Sequence, residues 1–233
     1  MKFILDMTDE EILKEISDIL KYKAIFPPKN MRGVLLENPH SFFKDGNNIN
    51  KKELFELYNY NENLEKYIVT LSITSLRSRK PDLFSLIRSQ KKGNKVLDLG
   101  CGVSTHGIAC AQLGCDVHIL DISIKLLAFA LIRYQKRDLR VISHNDYQLV
   151  PRRYFDAIIC SDVIEHVHDP INVLKYIIVW LKPRGIVHLH VATSQNLRKG
   201  HLPQAVNAWK RQGVHILKRR FKQISPHNYQ LRA

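Results

Sequence analysis

Residues 95–102, KVLDLGCG, constrain the fold more than any other stretch. An apolar run ends in Asp98, and Gly100 and Gly102 follow at once. A short apolar run bounded by glycine predicts a strand buried on both faces. Glycines directly after it let the backbone turn sharply into a helix, whose N–H groups can face a ligand. From Lys95 onward, short apolar runs alternate with helical segments. KVLDLG, CDVHILDI, LRVISHND, FDAIICSD and GIVHLHVA are predicted strands, and THGIACAQLG, SIKLLAFALIRYQKR and DPINVLKYIIVWLKP are predicted helices. This alternation predicts an α/β fold with a doubly wound, mostly parallel sheet. LPQAVNAWKRQG adds a helix, and VHILKRRF and NYQLR add two closing strands, which makes seven.

The N-terminal third has a different texture. Residues 8–23 carry apolar positions at helical spacing, with Thr8 as the cap and acids in the first turn. FPPKN ends that helix, and residues 31–50 are loop-like. Residues 51–77 predict one or two amphipathic helices, and Pro81 opens another that runs to about Gln90. The expected division is therefore a helical cap that shapes substrate specificity, residues 1–92, and a ligand-binding α/β domain, residues 93–233.

The glycine loop carries its own clues about the ligand. No Gly-Lys-Ser/Thr follows it, so it is not a nucleoside-triphosphate P-loop. Asp98 stands directly before it, where a carboxylate would repel a phosphate but would suit an amine or a positive centre. Asp121 ends the next strand, 19 residues after Gly102, a position from which a carboxylate can accept both hydroxyls of a ribose. The loop suits a nucleoside with a cationic tail.

These residues resemble class I S-adenosylmethionine-dependent methyltransferases. VLDLGCGVS resembles the family's first motif, HILDIS its acidic second-strand end, and HND at 144–146 its adenine-binding segment. YFDAIICSDVIEHVHDP is similar to the fourth-strand motif, and LKPRGIVHLHV to the segment that leads into the fifth strand. The resemblance covers residues 93–191 well and 192–233 loosely. It implies a Rossmann-like methyltransferase fold with S-adenosyl-L-methionine as cofactor. By position it implies that Asp98, Gly100 and Gly102 line the methionine end. Asp121 would hold the ribose, Ile122 would pack on the adenine, Asp146 would meet its amino group with Tyr147 beside it, and Ser161 would close the pocket. Two positions depart from the pattern: Ser104 and Arg184 stand where the family has glycine.

Methyl transfer to a hydroxyl needs an oriented acceptor and a group that takes its proton. Glu165 and His166, after the fourth strand, are the candidate catalytic residues, with ordering of that loop as the alternative role. No metal site is assigned. The expected acceptor is a small molecule methylated at oxygen. A second reading comes from charge: the formal net charge is +14, and residues 192–233 carry nine Lys and Arg and no acid. An acid-free basic end suits a polyanion, which makes RNA an alternative acceptor. A third reading is a non-catalytic module that binds a partner protein. The first residues contain no signal-peptide pattern, and no apolar run is long enough for a membrane span. The four cysteines form no C-x-x-C pair, so the expected location is cytoplasmic. Oligomeric state is not encoded in these features.

Overall fold

The computed structural model describes residues 2–22, 64–77, 80–193 and 201–233. FPPKN, the 31–50 loop and the first part of the 51–77 helical stretch lie outside them. Helix α1, Asp9–Tyr22, begins with a reciprocal cap: Thr8 Oγ1 accepts the Glu11 N–H at 3.2 Å, and Glu11 Oε2 accepts the Thr8 N–H at 2.7 Å. Its apolar stripe, Ile12, Ile16, Ile19 and Leu20, is buried. Helices α2, Leu64–Arg77, and α3, Pro81–Arg88, complete the N-terminal region.

Then strands and helices alternate: β1 Lys95–Leu99, α4 Thr105–Gln112, β2 Asp116–Leu120, α5 Ile124–Gln135, β3 Ile142–His144, β4 Phe155–Ser161, α6 Pro170–Trp180 and β5 Leu181–His190. The chain ends with α7 Pro203–Ala208, a wide π turn at Trp209–Gly213, α8 Val214–Arg220, β6 Phe221–Gln223 and β7 Asn228–Leu231. These strands form one seven-stranded sheet in the order β3-β2-β1-β4-β5-β7-β6. The first five run parallel, and β7 lies antiparallel between β5 and β6. This is the expected doubly wound α/β sheet.

Alternation along the strands sends side chains to two cores. Val96, Ile119 and Ile159 share one core with α1 to α5. Leu97, Leu99, Leu120 and Ile158 share the other with α6 and α8. Ile12, Ile16, Ile68 and Ile87 belong to the same core as β1 and β2, so the described N-terminal helices are built onto the sheet.

VHILKRRF was expected as a strand, but residues 214–220 are helical and only Phe221–Gln223 pairs with β7. The reason is a buried stripe at Ala205, Trp209, Gly213, Leu217 and Phe221. That spacing of four is helical, and it overrides the short apolar alternation at 214–217. The third strand is also shorter than LRVISHND, with only Ile142–His144 paired to β2. In β5, Leu181 pairs with Phe155 and Ile186 with Ala157, so residues 182–185 bulge against the single residue Asp156.

Both departures from glycine sit in left-handed backbone, Ser104 at φ 51° and Arg184 at φ 64°. The positions still demand what glycine supplies, and each chain residue there is strained. Arg184 is exposed at the bulge, so nothing in packing opposes its replacement. Arg184→Gly is expected to stabilise the fold by about 1 kcal/mol, read as a raised urea midpoint with an unchanged slope.

A buried ion cluster fastens α1 to α5. Arg133, with no exposed side-chain surface, donates through Nε to Glu15 Oε1 at 3.0 Å. Arg137 donates to the same carboxylate at 2.5 and 2.7 Å. Burial pushes the Glu15 carboxyl up, but the two guanidiniums outweigh it and hold it down at about 2, from an ordinary 4.5. The folded state therefore binds this proton more weakly than the unfolded chain. The stabilisation is complete above about pH 4.5 and is lost as pH falls towards 2. Glu15→Gln is expected to cost about 3 kcal/mol at pH 7, because it strands a buried guanidinium. It is also expected to flatten the acid limb of the stability–pH curve, measured by thermal unfolding.

Candidate active site at the carboxyl end of the sheet

In an open α/β sheet, ligands bind beyond the carboxyl ends of the strands, where the strand order reverses. Here that point lies between β1 and β4. A cavity of about 670 Å³ opens there, within the usual small-molecule range of roughly 300–1,000 Å³. Its floor is the ends of β1, β2, β4 and β5, and its side wall is α2, through Tyr67, Leu71 and Thr74.

The loop after β1 is fixed by hydrogen bonds on both flanks. Gly100 and Cys101 donate to the Leu120 carbonyl at 2.8 and 3.1 Å. Gly100 has φ 65°, and a Cβ there would lie 2.5 Å from Val163 Cγ2, so the site excludes any larger residue. Asp98 is buried, and its Oδ2 accepts from Ser104 Oγ at 2.9 Å and from the Gly107 N–H at 3.0 Å. Ser104 Oγ also lies 3.1 Å from the Tyr134 hydroxyl of α5. Ser104 thus offsets its strained backbone with a buried polar network. Gly107 is required by the same cluster, because a Cβ would meet Ser104 Oγ and the Tyr134 hydroxyl at 2.5 Å.

Asp121 is buried at the end of β2. Its Oδ2 accepts the Gly102 N–H at 2.8 Å, and its Oδ1 accepts the Ser123 N–H at 2.8 Å. Burial raises its pKa against those hydrogen bonds. A carboxylate oxygen can accept more than one hydrogen bond, so both remain able to meet a diol. Asp98, Gly100, Gly102, Asp121, Ile122, Tyr147 and Ser161 all line the one cavity. Tyr147 is also stacked on Trp180, with ring centroids 5.7 Å apart, so it serves the core as well. Asp146 differs: it lies outside the lining, exposed, and its Oδ1 accepts the Gln148 N–H at 2.8 Å at the start of a short 3₁₀ turn.

The two candidate catalytic residues separate. His166 lines the cavity, with its ring 4.8 Å from that of His201. Glu165 is fully buried and lies outside the lining, and its Oε1 accepts the Ala192 N–H at 2.9 Å. Its backbone carbonyl accepts the Leu202 N–H at 2.8 Å. It ties together the segments after β4 and β5. Burial pushes its carboxyl up to about 7, against the Ala192 hydrogen bond. Glu165, His166 and His201 each bring one ligand-type atom within 4.8 Å of the others, a spacing that a divalent ion could bridge.

Two lining residues were absent from the sequence reading, Lys80 and His190, and both meet Asp162, which the fourth-strand motif places at the strand's carboxyl end. Lys80 Nζ donates to Ser161 Oγ at 2.7 Å and forms an ion pair with Asp162. His190 Nδ1 lies 2.6 Å from Asp162 Oδ1. His190 is the last residue of β5, so the carboxyl-end rule could have found it. Lys80 carries no comparable local signal, because it reaches the site from the turn before α3.

A mostly parallel sheet with a glycine loop after β1, an acid closing β2 and a shared cavity at the strand ends defines a nucleoside-cofactor α/β protein. Residues 72–225 match the family described as a methyltransferase domain, and the chain belongs to that family, among class I S-adenosylmethionine-dependent methyltransferases. It is 32% identical over 125 residues to the ubiquinone biosynthesis O-methyltransferase of Thiobacillus denitrificans, which covers 52% of this chain and 53% of that protein. Against the enzyme of the same name from Xanthomonas campestris it is 34% identical over 101 residues, 42% of each chain. The chain spans about half the length of the curated relatives it matches. Among solved structures, phosphoethanolamine N-methyltransferase 2 of Haemonchus contortus with S-adenosylmethionine is 29% identical. It has a TM-score of 0.42 and covers 47% of this chain and 27% of that one.

Burial pushes the Asp98 carboxyl up to about 7, from an ordinary 3.8, despite the Ser104 and Gly107 hydrogen bonds. A cationic ligand end needs the ionised form. Affinity for S-adenosylhomocysteine is therefore expected to fall below about pH 7, approaching tenfold per unit. Calorimetry across pH 6–8 checks this, and Asp98→Asn should remove that part of the dependence.

Proposed function

We propose that this chain transfers a methyl group from S-adenosylmethionine to a hydroxyl of a small-molecule acceptor. The observation that carries this reading is one continuous cavity. Asp98, the glycine loop, Asp121, Ser161, His166 and His190 all line it. In this reading Asp98 and the backbone of Gly100 and Gly102 face the aminoacyl end of the cofactor. Asp121 holds the ribose hydroxyls, and Ile122 and Tyr147 flank the adenine. Asp146 acts on the adenine edge through the turn it caps. Helix α2 encloses the acceptor, which gives the N-terminal helices the specificity role expected of a cap. His166 contacts the acceptor, and Glu165 holds the wall behind it.

Oxygen as the acceptor atom draws support from relatives whose names specify O-methylation in ubiquinone biosynthesis. Reaction is an in-line displacement: the oxygen attacks the methyl carbon, and the C–S bond pair goes to sulfur. The protein's task is to align the three atoms and take up the hydroxyl proton.

The test combines binding and turnover. Asp121→Ala is expected to weaken S-adenosylhomocysteine by about 1–3 kcal/mol in calorimetry, through loss of charged hydrogen bonds. Label from methyl-labelled S-adenosylmethionine is expected in small hydroxylated aromatics and not in total RNA. Labelling of RNA would move the acceptor to nucleic acid, and absence of binding at millimolar ligand would sink the enzyme reading.

A further inference from the structure

At the cavity wall formed by β4 and β5, three charged or titratable side chains from distant parts of the chain are joined in a row. Lys80 comes from the turn before α3, Asp162 from the end of β4 and His190 from the end of β5. Asp162 receives the Lys80 ammonium through Oδ2 and the His190 ring through Oδ1. Burial alone would raise the Asp162 carboxyl, but the His190 hydrogen bond and the Lys80 charge hold it well below the usual range. An ionised carboxylate only accepts hydrogen bonds, so His190 Nδ1 carries the proton in the 2.6 Å contact. The imidazole tautomer is thereby fixed, with the lone pair on Nε2. His190 lines the cavity, and Nε2 meets no partner among the described residues.

The arrangement is supported from behind. The His227 ring stands edge-on to His190 at 4.9 Å, and His188 lies beyond it at 6.1 Å from His227. Asp82 Oδ2 accepts the backbone N–H of His227 at 3.2 Å, which fixes that wall. Asp162 itself sits at φ 57°, a strained conformation that aims its carboxylate between Lys80 and His190. Strain of this kind persists where the surrounding contacts over-determine it. Lys80 uses two of its three N–H donors on Ser161 and Asp162, which leaves one for an anionic oxygen in the cavity.

We infer that His190 is the general base of the methyl transfer, with Asp162 and Lys80 as its positioning residues. The inference rests on the methyltransferase reading above. The acceptor's O–H proton moves to His190 Nε2 as the oxygen bonds to the methyl carbon and the C–S pair leaves on sulfur. The imidazolium is held by Asp162 and later releases the proton to water. Lys80 faces the oxygen while it carries negative charge. The matching acceptor class is a weakly acidic hydroxyl, one that an imidazole can deprotonate near neutral pH.

The probe is 4-nitrophenol, whose anion is coloured, with S-adenosylhomocysteine for binding and S-adenosylmethionine for turnover. The wild type is expected to show the bound anion at a pH below its solution ionisation and to methylate it. His190→Ala and Asp162→Asn are expected to lose the anion signal and to slow methyl transfer by roughly 10²–10⁴-fold, with unchanged S-adenosylhomocysteine affinity. Asparagine tolerates left-handed backbone, so Asp162→Asn keeps the local fold. With S-adenosylmethionine kept saturating at every pH, so that Asp98 does not contribute, the acidic limb of kcat/KM for 4-nitrophenol should move in His190→Ala to the solution ionisation of 4-nitrophenol, which a purely structural role would not produce. If wild type binds S-adenosylhomocysteine but His190→Ala turns over within threefold of it, or if wild type neither ionises nor methylates 4-nitrophenol, the inference is overturned. Failure of wild type to bind S-adenosylhomocysteine overturns instead the reading on which it rests.

Discussion

The loop after β1 is held from beneath by two neighbouring residues of α5, and the cavity takes its shape from that hold. Tyr134 meets Ser104, which donates to Asp98. Arg133 donates to the Val103 carbonyl at 2.6 Å and to Thr105 Oγ1 at 3.1 Å. Both side chains are buried. A buried guanidinium without acceptors would be costly, so the loop carbonyl and Glu15 are obligatory partners rather than optional ones. The glycines permit the turn, and these polar contacts select one conformation of it.

The same logic explains why serine stands in the family's glycine position. Left-handed backbone disfavours a side chain, but Ser104 Oγ gains two buried partners. Arg184 has the strain without the network, because it is exposed at the bulge in β5. Two like departures from one pattern therefore have different energetics, decided by burial.

Much of the sheet was legible because buried strands have few sequence solutions: β1, β2, β4 and β5 all appear as apolar runs, and the loop residues follow from β1 by position. The C-terminal helix was misread because VHIL alternates locally, whereas its burial stripe emerges only over residues 205–221. At the site, residues adjacent to the motifs were within reach: Asp98, Asp121 and Ser161 line the cavity. Asp146 shows the limit of carrying a role by position, since its carboxylate is spent on its own turn. Lys80 and His190 lie 110 residues apart in sequence and meet only through Asp162. No local pattern encodes a contact made by folding three distant segments together.

Glu15 has a consequence that reaches beyond stability. It bridges α1 to Arg133, and Arg133 holds the carbonyl of the loop that faces the cavity. Docking of the first helix and order in the loop are thus two faces of one equilibrium. Free energy gained by a ligand that rigidifies the loop is shared with α1, and loosening α1 takes it back in equal measure. Residues 2–22, which contribute no side chain to the lining of the cavity as described, are thereby thermodynamic participants in whatever binds there.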